Sequence, residues 1–388
     1  MTIRDWLEDA EAYVLSVIED RRRGRGAALL RGFLHFLSLL FTGAVQFRLR
    51  LFREGIIRPH TLGCQVISIG NLTVGGTGKT PVVEVFARHL QHSGRKVAIL
   101  SRGYKKKEDP LLVRLLNMLL LRTENEPPRV VSDGRRLLLD SAQSGDEPYM
   151  LASNLNDVVV IVDKDRVKAG RYAVRKFGCD TLILDDGFQY LRLKHRLDIV
   201  LVDRTNPFGN RRLLPGGILR EPVRNIRRAG FIFITKSPAA GAPELKEQLR
   251  RLNPTAEIVE CRHAPKHLQN LYTGEQQPLS FLNGKNVGAL SGIASPKGFE
   301  ETLVTLGAKL LYHKRYADHH RYSQQEILDV INRSAERGCE IILTTEKDAV
   351  RFPMLERRDL PMFFLRVEIE MLTGSEAFND WIDRICFK

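Results

Sequence analysis

The stretch CQVISIGNLTVGGTGKTPVVEVFARHLQ, Cys64–Gln91, decides the fold. It opens with a β-branched apolar segment, continues through a glycine-rich turn and ends in a segment with helical periodicity. A strand, a turn and a helix in this order predict a phosphate-binding loop, where backbone N–H groups and a helix N-terminus face phosphates. The alternative interpretation is a chance glycine-rich turn.

The loop matches the usual spacing G-x-x-x-x-G-K-[ST] at all but one position. Thr73 stands where the first glycine belongs, and three glycines nearby compensate. They are Gly75, Gly76 and Gly78. We expect Lys79 to reach the β- and γ-phosphates of a nucleotide and the hydroxyl of Thr80 to ligate Mg²⁺.

Other apolar segments extend the pattern outward from the loop. They are KVAILSRGY, DTLILDDGFQY, LDIVLVD and GFIFITK. Together with the first strand they predict a parallel α/β sheet of at least five strands. One of them ends in Asp185 and Asp186, which is how an enzyme with a phosphate loop places carboxylates near Mg²⁺.

Length and composition limit the remaining possibilities. With 388 residues, 43 % hydrophobic and 27 % charged, the chain predicts two or three soluble domains and excludes a disordered or multi-span membrane protein. Five cysteines without a C-x-x-C pair exclude a disulfide scaffold and a zinc ribbon and favour a reducing compartment. The net charge of +14 predicts an acidic partner: nucleic acid, anionic lipid or a phosphorylated substrate.

The region before the loop has the character of a membrane-surface segment. The first twenty residues are acidic, unlike a signal peptide, which predicts a cytoplasmic start. Residues 21–58 carry nine arginines and one acid around the uncharged run GFLHFLSLLFTGAV, whose 14 residues extend only ~21 Å as a helix. The polar side chains form one stripe on this helix: Arg31, His35, Ser38, Thr42, Gln46, Arg50 and Arg53. We expect an interfacial helix held by anionic headgroups; the alternative is a buried helix of a soluble domain.

A second apolar stretch, PLLVRLLNMLLLR, follows Lys105, Lys106 and Lys107. It predicts an inserted surface helix on the same membrane, with a short core helix as the alternative. The basic residues therefore lie next to apolar runs. A nucleic-acid-binding surface is expected to have aromatic residues between its basic ones, so this pattern disfavours nucleic acid as a partner.

A series of motifs is spread over most of residues 64–350: GNLTVGGTGKTP, LSRGY, VVSDG, GDEP, LDDGFQY, LDIVLVD, PFGNRRLLPGGILREP, DHHRYS and TEKDAV. In these motifs the chain resembles the tetraacyldisaccharide 4′-kinase (lipid A 4′-kinase) family. The resemblance implies a lipid kinase of the lipid A pathway, which uses ATP and Mg²⁺ to phosphorylate the 4′-hydroxyl of a tetraacylated glucosamine disaccharide 1-phosphate. It implies peripheral or monotopic association with the cytoplasmic face of the inner membrane. No obligate protein partner is expected.

The resemblance also assigns roles to residues. It implies that Thr77, with Gly78, Lys79 and Thr80, forms the phosphate loop and that Asp185 and Asp186 are the acidic pair. Asp146 of GDEP is implied to be the catalytic carboxylate, partnered by His319 or His320 of the DHH motif. Arg220 and Glu221 correspond to residues at the nucleotide and substrate end. Without the resemblance, the two histidines would be interpreted as surface residues of a loop before a helix.

We therefore predict an α/β fold: a P-loop NTPase-type parallel sheet domain, a smaller C-terminal α/β domain and an N-terminal membrane-associating helix. The expected segments are a membrane-surface segment 1–60, a kinase domain 61–258 with an insertion at 105–128, an extended linker 259–285 and a C-terminal domain 286–388. A histidine of the last segment is expected to meet Asp146 at an interdomain cleft.

The competing hypothesis is a MinD-like membrane-associated nucleotide switch or assembly ATPase. The loop of that class, K-G-G-x-G-K-T, differs from VGGTGKT mainly at Val74. Multiple turnover with a lipid disaccharide would favour the kinase, and nucleotide-driven dimerisation without an acceptor would favour the switch.

Overall fold

The computed structural model describes residues 13–18, 21–76, 78–103, 127–353 and 359–386. The helices are α1 (Arg25–Arg53), α2 (Lys79–His92), α3 (Ser141–Ser144), α4 (Asp146–Asn154), α5 (Arg166–Phe177), α6 (Pro243–Leu252), α7 (Pro296–Thr305), α8 (Gln324–Glu336), α9 (Glu346–Ala349) and α10 (Ser375–Cys386). The strands are β1 (Gln65–Asn71), β2 (Val97–Ser101), β3 (Arg129–Asp133), β4 (Val159–Val162), β5 (Thr181–Asp185), β6 (Leu197–Asp203), β7 (Phe231–Thr235), β8 (Glu257–Asn270), β9 (Gln276–Pro278), β10 (Asn286–Ser291), β11 (Lys309–Arg315), β12 (Ile341–Thr345) and β13 (Met362–Thr373). The predicted α/β class, with its parallel-rich sheet, is confirmed.

The chain forms two compact units that do not follow chain order. One falls within Met1–Lys79, Asp180–Arg262 and Met371–Lys388, and the other within Thr80–Cys179 and His263–Glu370. The linear boundaries drawn from the sequence remain predictions. The stretch 104–126, which contains most of the apolar insertion, lies outside the described residues, as does Thr77.

The first unit is built on parallel strands in the order β7-β6-β1-β5, and β8 pairs with β7 in the same direction. The register places Ile69 of β1 opposite Asp185 of β5, so the carboxyl ends of these strands meet at one edge. All seven residues of β1 except the first are buried, as expected for a strand of a parallel sheet covered on both faces. Phe233 of β7 packs edge-on against Phe378 of α10.

Helix α1, in this first unit, turns the middle of its polar stripe, around Ser38, towards the protein, whereas His35, Arg50 and Arg53 of the stripe are exposed. Of its 29 residues, only Ala27, Leu34 and Ser38 are buried. The Ser38 hydroxyl donates to the carbonyl of Leu213 at 2.8 Å and accepts from the N–H of Gly216 at 2.9 Å. The desolvation cost of burying these polar groups is compensated because each has a hydrogen-bond partner.

Several large apolar side chains of α1 lie on its outer surface. Phe33, Phe36, Leu39, Leu40 and Phe47 are each more than half exposed. Only 6 % of its most apolar window is buried, so the alternative of a buried helix is wrong. The length estimate from the uncharged run is also corrected: the helix spans 29 residues and, among the described helices, is the one long and apolar enough to cross a membrane. The length of α1 and its exposed apolar side chains suggest membrane association.

The second unit contains two groups of strands. In one, β4 pairs with β2 in parallel and with β3 in antiparallel direction. In the other, parallel pairing gives the order β11-β10-β12-β13. Its apolar core includes Leu290, Ile327, Val330, Ile342 and Met362, from β10, α8, β12 and β13. The predicted helices near 296–306 and 323–337 are confirmed by α7 and α8, and Ser323 caps α8 with a reciprocal bond to Glu326.

Candidate active site

The phosphate loop leaves β1 and enters α2 as the sequence predicts. Gly75 and Gly78 have φ values of 105° and 77°, which L side chains rarely adopt. Gly76 lies between them, exposed, and Lys79 and Thr80 begin α2. The loop therefore has the backbone that close approach to a phosphate requires.

Thr73, the departure from the usual pattern, has a local explanation. It forms an antiparallel bridge with Leu219, and the next N–H, of Val74, donates to the carbonyl of Ile218 at 2.8 Å. An extended residue in a bridge needs no glycine, and a β-branched side chain suits it. The loop is thus attached to the segment that carries Arg220.

The acidic pair lies at the end of β5, within the first unit. Asp185 is the buried last residue of the strand. Asp186 follows it with φ 54°, a conformation that is strained for a non-glycine residue. The Nζ of Lys79 lies 3.3 Å from Asp186 Oδ1. The sequence-predicted lysine and carboxylate are therefore brought together.

Arg220 makes a bidentate pair with Asp186. Its Nη1 and Nη2 donate to Oδ2 and Oδ1, both at 2.8 Å, and Nη2 also donates to Asn71 Oδ1. Burial by itself would raise the pKa of Asp186, but the hydrogen bond from Arg220 and the charge of Lys79 outweigh it and lower that pKa far below its usual range. Asp186 is thus a carboxylate at all working pH values.

Glu221 lies in a different environment. It is buried and accepts hydrogen bonds from Arg228 at 2.8 and 3.1 Å and from Asn225 at 2.7 Å. Arg228 also donates to the carbonyl of Phe188 and lies 4.0 Å above the Phe188 ring. Glu221 and Arg228 therefore fasten the residues after Asp186 to the segment of Arg220.

A second group of polar residues, within the second unit, surrounds Asp146 at the start of α4. His319 Nδ1 lies 3.2 Å from Asp146 Oδ2, and Arg351 Nε donates to the same oxygen at 2.8 Å. Arg321 Nη2 donates to Oδ1 at 3.0 Å. Burial would raise the pKa of Asp146, but the hydrogen bond with His319 and the charges of Arg351 and Arg321 lower it below its ordinary value.

The two histidines of the DHH motif have different neighbours. His319 has φ 64°, and this strained backbone directs its ring to Asp146. His320 Nε2 lies 3.0 Å from Glu326 Oε1, and its ring stacks on Tyr316. We interpret His319 as the partner of Asp146 and His320 as a residue that links its own loop to α8.

Sequence reasoning did not single out several residues of these two groups. They are Asn71, Arg228, Arg321, Lys347 and Arg351. Arg321 directly follows DHH, and Lys347 and Arg351 belong to TEKDAV and the residue after it, so the motifs contained a signal. Among the described residues, no group of three or more His, Cys, Asp or Glu side chains is arranged to hold a metal ion.

The chain matches the family model described as tetraacyldisaccharide-1-P 4′-kinase over residues 30–386. A tetraacyldisaccharide 4′-kinase of Anaeromyxobacter dehalogenans is 40 % identical over 87 % of this chain and 86 % of its own length. The corresponding protein of Halothermothrix orenii is 34 % identical over 91 % and 90 %.

A solved structure also matches this chain. The fold matches a crystal structure of LpxK from Aquifex aeolicus in complex with ATP, with a TM-score of 0.71 and 30 % identity, over 92 % of this chain and all of that one. With its phosphate loop and its Asp146–His319 contact in place, the chain belongs to the tetraacyldisaccharide 4′-kinase family.

Proposed function

We propose that this protein transfers the γ-phosphoryl group of ATP to the 4′-hydroxyl of a tetraacylated glucosamine disaccharide 1-phosphate. The observation that carries the proposal is the cluster around Asp146, because it offers a buried carboxylate with a place for an acceptor hydroxyl. Family membership favours this reaction over the MinD-like switch.

The nucleotide end depends on Lys79 and the loop glycines. Backbone N–H groups at Gly75, Gly76 and Gly78 bind phosphate oxygens, and Lys79 neutralises charge on the transferred group. In the structure Lys79 lies on Asp186, so we propose that nucleotide binding moves its ammonium from carboxylate to phosphate. The predicted role of Thr77 as a loop residue stays a prediction.

Mg²⁺ fits the carboxylates at the end of β5. This ion is usually held by one or two carboxylates together with substrate phosphates, and Asp186 stays ionised beside Asp185. Bound there, it would neutralise charge on the β- and γ-phosphates. The Thr80 hydroxyl, predicted as a further ligand, is buried in the first turn of α2, and this role also stays a prediction.

The acceptor end depends on which oxygen of Asp146 is available. A carboxylate oxygen accepts about two hydrogen bonds. Oδ2 already receives two, from His319 and Arg351, whereas Oδ1 receives one, from Arg321. We therefore propose that Oδ1 accepts the proton of the attacking hydroxyl. The low pKa of Asp146 suits a loose transition state, in which the proton leaves late and the base mainly orients the oxygen.

The membrane surface supplies the substrate. We propose that α1 lies on the cytoplasmic face of the inner membrane with its exposed apolar side in the acyl region and its arginines at anionic headgroups. The insertion at 105–128 is proposed to dock beside it. Deleting Glu108–Arg122 should weaken co-sedimentation with anionic vesicles, and unchanged binding at low and high salt would oppose this role.

One experiment tests the proposed reaction. The full-length chain is incubated in detergent micelles with radiolabelled ATP, Mg²⁺ and the tetraacylated disaccharide 1-phosphate, and lipid products are separated by thin-layer chromatography. We expect a labelled bisphosphorylated lipid over many turnovers. An acceptor lacking the 4′-hydroxyl is the control. ATP hydrolysis independent of lipid, or nucleotide-driven dimerisation without lipid product, would refute the proposal.

A further inference from the structure

We propose that Lys347 is a positioning residue that fixes the proton of His319 on Nδ1. The proposal rests on the reaction proposed above, in which His319 supports Asp146. Lys347 lies in α9, and its Nζ is 3.3 Å from His319 Nε2 and 3.4 Å from Asp318 Oδ1. Nothing in the sequence motif distinguishes it from a solvated lysine.

Of the two neutral tautomers of the His319 ring, one satisfies more of the groups named around it. Nδ1 faces Asp146 Oδ2 at 3.2 Å and Arg351 Nη2 at 3.3 Å. Nε2 faces the Lys347 ammonium at 3.3 Å and Asp318 Oδ2 at 3.9 Å. An ammonium has donors and no lone pair, whereas an ionised carboxylate only accepts.

With the proton on Nδ1, the ring donates to Asp146 and accepts from Lys347, and the contact with Arg351 Nη2 is its one donor–donor conflict. With the proton on Nε2, only Arg351 is satisfied: two donors would face each other at Lys347, and the Nδ1 lone pair would face the Asp146 carboxylate. Asp318 is too distant at 3.9 Å to accept a good hydrogen bond from Nε2. The imidazolium form would conflict with both Lys347 and Arg351. The neutral ring with Nδ1–H is therefore favoured.

Arg351, one of the cations near Asp146, is held in place by its own hydrogen bonds. The Arg351 side chain is fully buried, and its Nη1 donates to Asp348 Oδ1 and to the carbonyl of Gly292, both at 3.1 Å. Asp348 also accepts from the Tyr322 hydroxyl at 2.9 Å. Lys347 is one residue from Asp348, so the short helix that anchors Arg351 also presents the ammonium to His319.

Lys347 therefore determines how Asp146 meets the acceptor. With Nδ1–H directed at Oδ2, that oxygen keeps its two donors and Oδ1 remains the one that accepts the substrate proton. Without the ammonium, the ring proton can move to Nε2, which leaves the Nδ1 lone pair facing Oδ2. Asp146 then loses a donor and is held less firmly.

The first test reads the proton position directly. The full-length protein is labelled with ¹⁵N-histidine, and the ring nitrogen shifts of His319 are measured at pH 7.5, with His319→Gln identifying its signals among the ten histidines. We expect a protonated Nδ1 and an unprotonated Nε2. An Nε2–H tautomer or an imidazolium in the unaltered protein would overturn the proposal, whether or not the lipid is phosphorylated.

The second test measures lipid phosphorylation at pH 7.5. Lys347→Met should lower kcat about 10-fold, with KM for ATP unchanged, since only part of the ~10²–10⁴-fold acid–base contribution is lost. Lys347→Arg keeps a charged donor and should restore most of the rate. The matched control is Lys285→Met, which removes a similarly exposed lysine that pairs with Glu340 at 2.6 Å.

The outcomes separate the two proposals. A loss of kcat in Lys347→Met that Lys347→Arg does not rescue would mean a merely structural lysine and would overturn the positioning role. Absence of lipid phosphorylation in the unaltered protein would refute the proposed function, while the nitrogen shifts would still decide the tautomer.

Discussion

Replacing Arg366 by methionine should destabilise the protein strongly, because this residue holds two buried carboxylates within the second unit. Its Nη1 donates to both oxygens of Glu346, at 2.6 and 2.8 Å, and its Nη2 donates to Glu84. The Arg366 side chain is 7 % exposed. Asn154 and Arg88 contact the same carboxylates, so the cluster joins α2, α4, α9 and β13.

The magnitude follows from what methionine leaves behind. Removing one partner of a buried ion pair costs about 3–5 kcal/mol, since the remaining charge is desolvated without compensation. A domain is stable by only about 5–15 kcal/mol. Arg366→Met should therefore remove a large share of the stability, and the additional changes Glu84→Gln and Glu346→Gln should restore part of it.

A matched control is present in the same unit. Arg315 also makes a bidentate pair, with Glu300 at 2.8 and 2.7 Å, but its side chain is 47 % exposed. Exposed pairs contribute little because solvent screens them. Arg315→Met should leave the thermal midpoint, measured by circular dichroism at pH 8, almost unchanged. Equal shifts for Arg315→Met and Arg366→Met would refute the reasoning.

The stability lost in the Arg366→Met variant should also depend on pH. Burial raises the pKa of Glu346, and the charge of Arg366 opposes that rise. A carboxyl whose folded pKa is raised binds more protons in the folded state, so it favours folding below its unfolded pKa and loses this contribution as the pH rises through its folded pKa. Without Arg366 the pKa rises further. The Arg366→Met variant should therefore lose less stability at pH 5 than at pH 8, and a larger deficit at pH 5 would contradict this.

Other predictions concern the site and the membrane face. Lys79→Ala should lower turnover by orders of magnitude with an unchanged circular dichroism spectrum, because the Lys79 ammonium contacts Asp186 and is expected to bind phosphate. Near-normal activity would mean that Lys79 does not bind the phosphates. Asp146→Asn should lower kcat roughly 10²–10⁴-fold with a smaller change in KM, measured by lipid phosphorylation; if turnover persists, Asp146 is not the base. Arg220→Lys loses the bidentate pair with Asp186 and should raise KM for ATP several-fold, so an unchanged KM would argue against a role of this pair in nucleotide binding. Phe33→Ser with Phe36→Ser should weaken co-sedimentation with anionic vesicles. Unchanged co-sedimentation would mean that the exposed apolar face of α1 does not contact the membrane.

Local patterns made much of the architecture predictable. The strand–turn–helix around Lys79 and the apolar strands of the first unit depend on contacts close in sequence, and the structure places them as expected. The same is true of α8, whose capping box at Ser323 and Glu326 fixes its start. The polar stripe of α1 was also readable, because a period of 3.6 residues places its members on one side.

Which surface each side of α1 faces could not be read from periodicity alone. Ser38 of the polar stripe is buried because Leu213 and Gly216, about 175 residues away, provide its hydrogen-bond partners. A Cβ at position 216 would lie 2.6 Å from the Ser38 hydroxyl oxygen, so glycine is needed for this approach. Only folding brings these residues together.

The sequence by itself determined the α/β class, the phosphate loop and the motif residues, because each depends on a pattern within a short stretch. Tertiary structure alone decided that His319 faces Asp146 while His320 faces Glu326, since adjacent residues of one loop point to different neighbours. It likewise decided that Lys347 and Arg351 join this cluster. Charge and hydrogen-bond partners across more than 170 residues of chain set the protonation of such a site, and no local pattern encodes them.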